Sequence, residues 1–213
     1  MKFAKNSMLL YAVTDRAWLG NRKLIEQVDD CLKGGATFIQ LREKELNYEA
    51  FLAEAKEIKT LCYKYKVPFI INDNVDIAVA CNADGVHVGQ SDMKIDDVRA
   101  RLGGNKIIGV SAITVEQAII AEQNGADYLG VGAVFSTSTK LDADTVSHKI
   151  LKAICDAVSI PVVAIGGINS HNILELKGTN IDGVAVVSAI FAQPDIRAAT
   201  KELLMLSKEM VSV

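Results

Sequence analysis

The sequence is poor in the features that mark disulfide-stapled, zinc-binding, membrane-spanning or nucleic-acid-binding proteins. Its four cysteines are Cys31, Cys62, Cys81 and Cys155, and none pair as C-x-x-C. They read as small core residues of helices in a reducing compartment, not as a redox motif or a disulfide framework. There are three histidines, and no His/Cys cluster has zinc-ligand spacing. No apolar run approaches the length of a membrane span. The run 8–13 is too short and lacks a small-residue cleavage site, so it reads as a strand. The net charge of −3 gives no electrostatic reason to expect nucleic acid. It leaves an anionic substrate open, because local charge outweighs the total. Linkers, low-complexity tracts and charge blocks are missing too, so 1–213 is expected to be one domain of a soluble, cytoplasmic protein. Nothing in the composition decides whether it forms a homo-oligomer.

What the sequence does have is repetition of one unit. Strand-like runs fall at 8–14, 38–42, 69–72, 85–89, 107–111, 128–134, 162–165 and 183–188. Helix-like segments follow at 23–34, 48–66, 75–82, 95–102, 115–124, 148–158, 170–177 and 195–210. The helices carry apolar residues three and four apart, as in Phe51, Ala55, Ile58 and Leu61. Thr114 before Val115-Glu116-Gln117 predicts a helix start, and Gly34-Gly35 and Gly125 predict helix stops. Eight strands alternating with eight helices read as an α/β protein, a single (β/α)8 TIM barrel. The alternative is an open doubly wound sheet, but the Gly-x-Gly-x-x-Gly that would favour it after the first strand is absent.

A barrel of this kind keeps its chemistry at the C-terminal strand ends. The segment 67–92 shows the pattern most clearly. Two apolar runs flank a short helix and close on Asp73 and Asp92. A βαβ unit makes its strands parallel, so the two carboxylates can face one site, where a hard cation such as Mg²⁺ would relieve their repulsion. Helix capping is the competing reading for each acid taken alone. Strand two ends in Gln40, Leu41, Arg42, Glu43 and Lys44, offering a guanidinium fork and an ammonium to phosphate. Alternation puts Gln40 and Arg42 on one side of that strand. Strand six leads into Thr137, Ser138, Thr139 and Lys140, a hydroxyl-rich cradle for an oxyanion. Gly166 and Gly167 after strand seven, with Ser188 after strand eight, match the phosphate site that barrels build from those two loops. His87 sits mid-strand between valines and reads as a hydrogen-bonded interior residue. His148 and His171 open helices and read as surface positions. The residues alone therefore give a barrel enzyme with a Mg²⁺ site near a basic cluster and a second, separate phosphate site. That set suits transfer chemistry with a diphosphate leaving group.

Taken together, the motifs resemble the thiamine phosphate synthase family over nearly the whole chain. The markers are Tyr11-Ala12-Val13-Thr14-Asp15, Gln40-Leu41-Arg42-Glu43-Lys44, Ile70-Ile71-Asn72-Asp73, Gly85-Val86-His87-Val88-Gly89-Gln90-Ser91-Asp92, Gly109-Val110-Ser111, Thr137-Ser138-Thr139-Lys140, Ala164-Ile165-Gly166-Gly167-Ile168 and Val186-Val187-Ser188. The resemblance implies joining of hydroxymethylpyrimidine diphosphate to a thiazole phosphate, giving thiamine phosphate and diphosphate in thiamine biosynthesis. It implies that Gln40, Leu41, Arg42, Glu43, Lys44, Asn72, Ser111 and Lys140 hold the pyrimidine diphosphate, with Arg42, Lys44 and Lys140 as the catalytic cations. It assigns Mg²⁺ to Asp73 and Asp92, and the thiazole phosphate to Thr137, Ser138, Thr139, Gly167, Val187 and Ser188. The sequence departs from the family at Ile113, where His is common, and at Ser136 and Ala133, where Pro is common. Ile113 also speaks against the thiazole tautomerase-like branch, which would use a His there. A non-catalytic regulator on the same barrel would lack the Asp pair or Arg42.

Overall fold

The computed structural model describes residues 3–90, 92–137 and 145–212. Eight parallel strands close into a barrel in sequence order. They are β1 (Leu10–Val13), β2 (Phe38–Leu41), β3 (Phe69–Asn72), β4 (Gly85–Val88), β5 (Ile107–Ala112), β6 (Tyr128–Val131), β7 (Val162–Ile165) and β8 (Gly183–Val186). Around them lie α1 (Leu24–Gly34), α2 (Tyr48–Tyr65), α3 (Val75–Ala80), α4 (Ile95–Leu102), α5 (Val115–Gln123), α6 (His148–Ala157), α7 (Ser188–Phe191) and α8 (Ile196–Val211). A large apolar layer, including Ile39, Leu41, Ile71, Val86, Ile108 and Leu129, fills the space between the barrel and its helices. A second, smaller cluster of Met8, Tyr11, Phe38, Ile70, Ile107, Tyr128 and Val163 fills the barrel itself. Phe3 packs on it, edge-on to Phe38 and Tyr128.

The helix signals act much as their chemistry dictates. Gly35 takes φ 102°, a left-handed cap that returns its N–H to the carbonyls of Cys31 and Leu32. The Thr114 hydroxyl caps α5 by accepting from Gln117 N at 3.2 Å. Gln117 Oε1 accepts from Ile113 N at 2.8 Å, so the reciprocal bond reaches the residue before the cap rather than the cap itself. Four expectations need correction. The helix expected at 170–177 is a single 3-10 turn, Ile173–Leu176. There Asn172 Oδ1 accepts from Asn169 N, and Asn172 Nδ2 donates to Gly167 O, so the side chain satisfies backbone groups that a helix would otherwise claim. The strand expected over 183–188 stops at Val186, and Ser188 opens α7. Met8, expected in the first strand, lies in a 3-10 turn, Lys5–Met8, and Cys81 is the C-cap of α3 rather than a helical residue.

Inside the barrel the register sets Tyr11 beside Phe38, Gln40 beside Ile70, His87 beside Gly109 and Ser111 beside Gly130. Large rings fit only because small residues face them. A Cβ added to Gly109 would overlap the Tyr128 ring, so that position must be glycine.

Candidate active site

The C-terminal ends of β1, β2 and β3 bring together a chain of charges. Arg42 Nη1 meets Asp15 Oδ2 at 2.8 Å, and its backbone N–H donates to Thr14 Oγ1 at 3.0 Å. Lys44 Nζ meets Asp73 Oδ2 at 2.7 Å. Between these two cations sits Glu43, whose side chain is almost wholly buried. Its Oε1 accepts from the backbone N–H groups of Lys44 and Glu45 at 2.8 Å and of Leu46 at 3.3 Å. Its Oε2 pairs with Arg16, which also binds Glu54 at 2.7 Å. Burial alone would push this carboxyl up. The Glu45 N–H and the Arg16 guanidinium outweigh it and hold Glu43 below the usual carboxylate range. Glu43 thus fastens the loop that carries Arg42 and Lys44. Leu41 points the other way, fully buried against the helices, so its side chain cannot face a ligand in the mouth.

Asp73 has φ 59°, a left-handed conformation that is uncommon for a residue other than glycine and concentrates at functional sites. Its N–H donates to His87 O at 2.8 Å. It does not cap α3, because Asn74 does so through Ile77 N. Nor does Asp92 cap α4, whose N-cap is Lys94. Asp92 Oδ2 instead accepts from Gly89 N at 2.6 Å. Both acids are thus released from the capping role that competes with metal binding, on loops that follow adjacent parallel strands. Among the described residues no group of three or more His, Cys, Asp or Glu forms a metal cage. A pair of carboxylates suits Mg²⁺, which keeps several waters and leans on substrate phosphates.

Gln40 is buried inside the barrel, where its amide nitrogen donates to the Tyr11 hydroxyl. Ser111 Oγ lies 3.0 Å from His87 Nε2, and its carbonyl accepts from Gln90 Nε2 at 2.6 Å. Asn72 ends β3 opposite His87. Burial depresses the His87 pKa to about 4, against a smaller upward pull from Asp92, so the ring is neutral at pH 7. His87 is thus the hydrogen-bonded interior residue expected.

On the far side of the mouth, Gly166 and Gly167 take φ 99° and 67°. A side chain at Gly167 would press on Phe135 and on the Ser136 carbonyl, so the turn must be glycine here. Ala133 backs Gly166 in the same way, which gives Ala133 and Ser136 a part in shaping this turn. The Gly167 carbonyl accepts from Asn169 and Asn172 side chains at 3.2 and 2.9 Å. Val187 and Ser188 begin α7, and both are half-buried. Thr137 is half-buried at the mouth's edge, while Ser138, Thr139 and Lys140 lie outside the described residues. Ile113 is packed against the outer core. Burial raises all four cysteine thiols, those of Cys31 and Cys155 to about 12, in keeping with inert core residues.

The family model described as thiamine monophosphate synthase matches residues 10–190. The chain belongs to that family. It is 51% identical over 194 residues to a thiamine-phosphate synthase of Clostridium tetani, covering 91% of this chain and 93% of that protein. It is 52% identical over 201 residues to one of Ruminiclostridium cellulolyticum, covering 94% and 96%. Among solved structures, a thiamine phosphate pyrophosphorylase from Pyrococcus furiosus superposes with a TM-score of 0.90 at 40% identity, covering 98% and 99% of the two chains. The chain is accordingly a transferase of thiamine biosynthesis that forms thiamine phosphate.

Sequence reasoning missed three contributors to this site. Asp15 was visible at the end of the first strand but was given no role; it anchors Arg42. The Arg16–Glu54 pair behind Glu43 joins a loop to a helix and has no sequence signal. Tyr11 and Tyr128 stand out only as hydroxyl-bearing rings in otherwise apolar strands.

Proposed function

We propose that the chain, acting over 1–213 as one unit, binds its two substrates at opposite sides of the barrel mouth. Gln40, Arg42, Lys44, Asn72, Ser111 and Lys140 hold hydroxymethylpyrimidine diphosphate, with Leu41 taking part through its backbone and Glu43 by fastening the loop that carries the two cations. Thr137, Ser138, Thr139, Gly167, Val187 and Ser188 hold the thiazole phosphate. Asp73 and Asp92 hold Mg²⁺, which when bound supplies positive charge to the departing diphosphate. The placement of Arg42, Lys44, Asp73 and Asp92 on loops after three adjacent strands carries this reading.

The reaction needs no general base. The bond from the pyrimidine methylene to the diphosphate oxygen breaks, and its electron pair leaves with the diphosphate. The lone pair of the thiazole nitrogen then forms the new C–N bond, and no proton moves. Arg42 offers a planar fork, kept in place by Asp15, to the charge that develops on the leaving group. Lys44 is held ready against Asp73, and a metal at Asp73 would free it for the diphosphate. The thiazole side supplies positioning, which converts trapping of the cation into a step between neighbours. We place the enzyme in the cytoplasm, where its substrates are small molecules and neither nucleic acid nor membrane is a partner. In support, no helix among the described residues is long and apolar enough to cross a membrane.

The test mixes both substrates with the protein, with and without Mg²⁺, and follows thiamine phosphate. Product that depends on Mg²⁺ is expected. Failure to form product under either condition refutes the assignment, and full turnover in EDTA refutes the metal.

A further inference from the structure

Five polar side chains run in one line across the apolar interior of the barrel. Gln40 Nε2 donates to the Tyr11 hydroxyl. Tyr11 and Tyr128 hydroxyls lie 2.8 Å apart. Tyr128 lies 2.8 Å from His87 Nδ1, and His87 Nε2 lies 3.0 Å from Ser111 Oγ. The line joins β2, β1, β6, β4 and β5. Its two ends, Gln40 and Ser111, are both residues assigned above to the pyrimidine diphosphate.

The donor inventory fixes the sense of the line. An amide nitrogen can only donate, so Tyr11 accepts from Gln40; with Tyr11 donating in turn to Tyr128, no hydroxyl hydrogen of the line is left unpaired in the core. Tyr128 in turn donates to His87 Nδ1, which must be bare. A neutral imidazole carries one proton, so it sits on Nε2 and is donated to Ser111 Oγ. The serine oxygen is then satisfied from inside the barrel, and its hydroxyl hydrogen is left for a partner in the mouth. A diphosphate is acceptor-only, so a serine that serves it must donate. The opposite sense would begin with the Gln40 carbonyl on Tyr11 and end with Ser111 donating inward to His87. That would leave only lone pairs facing an anion.

We propose that Gln40, Tyr11, Tyr128 and His87 form a directed hydrogen-bond relay that sets His87 as the Nε2–H tautomer and so makes Ser111 an obligate donor to the diphosphate substrate. Tyr11, Tyr128 and His87 are positioning residues that act through Ser111. The proposal rests on the assignment of Ser111 to the pyrimidine diphosphate. It adds a reason for polar groups in a core where two tyrosines could have been phenylalanines.

The tautomer is read directly by long-range ¹H–¹⁵N correlation in protein labelled at histidine, with the His87 signals assigned by their loss in His87→Gln. The wild type without substrate is expected to show Nε2–H. Tyr11→Phe removes the link between Gln40 and Tyr128 but touches neither Ser111 nor the ligand. It should mix the two tautomers and raise KM for the pyrimidine diphosphate about threefold to tenfold, the worth of one hydrogen bond, while KM for the thiazole phosphate stays put. Nδ1–H in the wild type overturns the relay, whatever the variants do. So does a Tyr11→Phe protein with tautomer and KM both unchanged. Ser111→Ala separates this from the underlying assignment. If it keeps Nε2–H yet binds the pyrimidine diphosphate normally, the assignment of Ser111 fails and the proposal falls with it. If it keeps Nε2–H and loses affinity, both stand.

Discussion

Glu43→Gln is the sharpest probe of how the cationic loop is built. Glutamine keeps the size of the side chain, and its Oε1 can still accept from the backbone of Lys44, Glu45 and Leu46. What changes is the other end, where an amide NH₂ would face the Arg16 guanidinium, donor against donor. Losing a charge-assisted hydrogen bond costs about 1.5–3 kcal/mol, and breaking a buried ion pair about 3–5 kcal/mol. Arg16 is 24% exposed and retains Glu54, so the lower part of that range applies. Glu54 is a weak substitute, because burial raises its pKa and its Oε2 is buried without a partner among the described residues. A loss of about 2–3 kcal/mol corresponds to a Tm lower by roughly 5–10 °C in a chain of this size. The loosened loop should also raise KM for the pyrimidine diphosphate about tenfold, with KM for the thiazole phosphate unchanged. Thermal unfolding and substrate titration on the same preparation check both. A variant as stable as wild type that nonetheless loses pyrimidine binding would show that the carboxylate meets the ligand or the metal, and would refute the loop-fastening role.

The other predictions are simpler. Asp73→Asn and Asp92→Asn should each lower turnover by on the order of 10²–10³ and shift the Mg²⁺ titration to higher concentration, since each removes one carboxylate but keeps its size; full activity of both at low Mg²⁺ would place the metal elsewhere. Ser188→Ala should weaken thiazole phosphate binding roughly tenfold to a hundredfold through one charge-assisted hydrogen bond, with pyrimidine diphosphate affinity unmoved; equal losses for both substrates would reverse the assignment of the two anion sites. His87 has a folded pKa of about 4 against an ordinary 6.5, so its contribution to stability is whole above pH 6.5 and is lost as pH falls toward 4. Urea unfolding in EDTA should therefore show wild type losing about 2 kcal/mol more than His87→Gln between pH 7.5 and 5, and parallel losses would contradict a buried neutral ring.

The barrel was legible because its grammar is local. Short β-branched runs with Gly and Asp at their ends, alternating with apolar spacing of three and four, leave few topologies open. The element ends were less legible, and the reasons are particular. Met8 is as apolar as a strand residue but lies in a 3-10 turn beneath β1. The stretch after Gly167 has helix-like spacing in Ile173, Leu174 and Leu176. Asn169 and Asn172 divert its start into side-chain turns, and one 3-10 turn is all that forms. Ser188 continues an apolar strand pattern in sequence, yet Val187 breaks it with φ −119° and ψ −85° and turns the chain into α7.

The site divides along the same line. Strand-end position alone put Arg42, Lys44, Asp73, Asp92 and Gly167 on the loops that follow their strands, at the barrel end where this fold keeps its chemistry. It could not say which charged residues meet ligand and which hold others in place. Arg42, Glu43 and Lys44 are consecutive, yet Arg42 pairs with Asp15, Glu43 with Arg16 and Lys44 with Asp73. Partners of this kind lie 27 to 29 residues away in sequence and are chosen by the barrel's register. The interior relay is harder still to see. Tyr11, Gln40, His87, Ser111 and Tyr128 occupy five strands, and each alone looks like an occasional polar residue in an apolar run. Only closure of the barrel brings them into line. A lone polar group in that interior would be costly to bury, whereas a chain of donors and acceptors meets most of its own needs and leaves its last proton at the mouth.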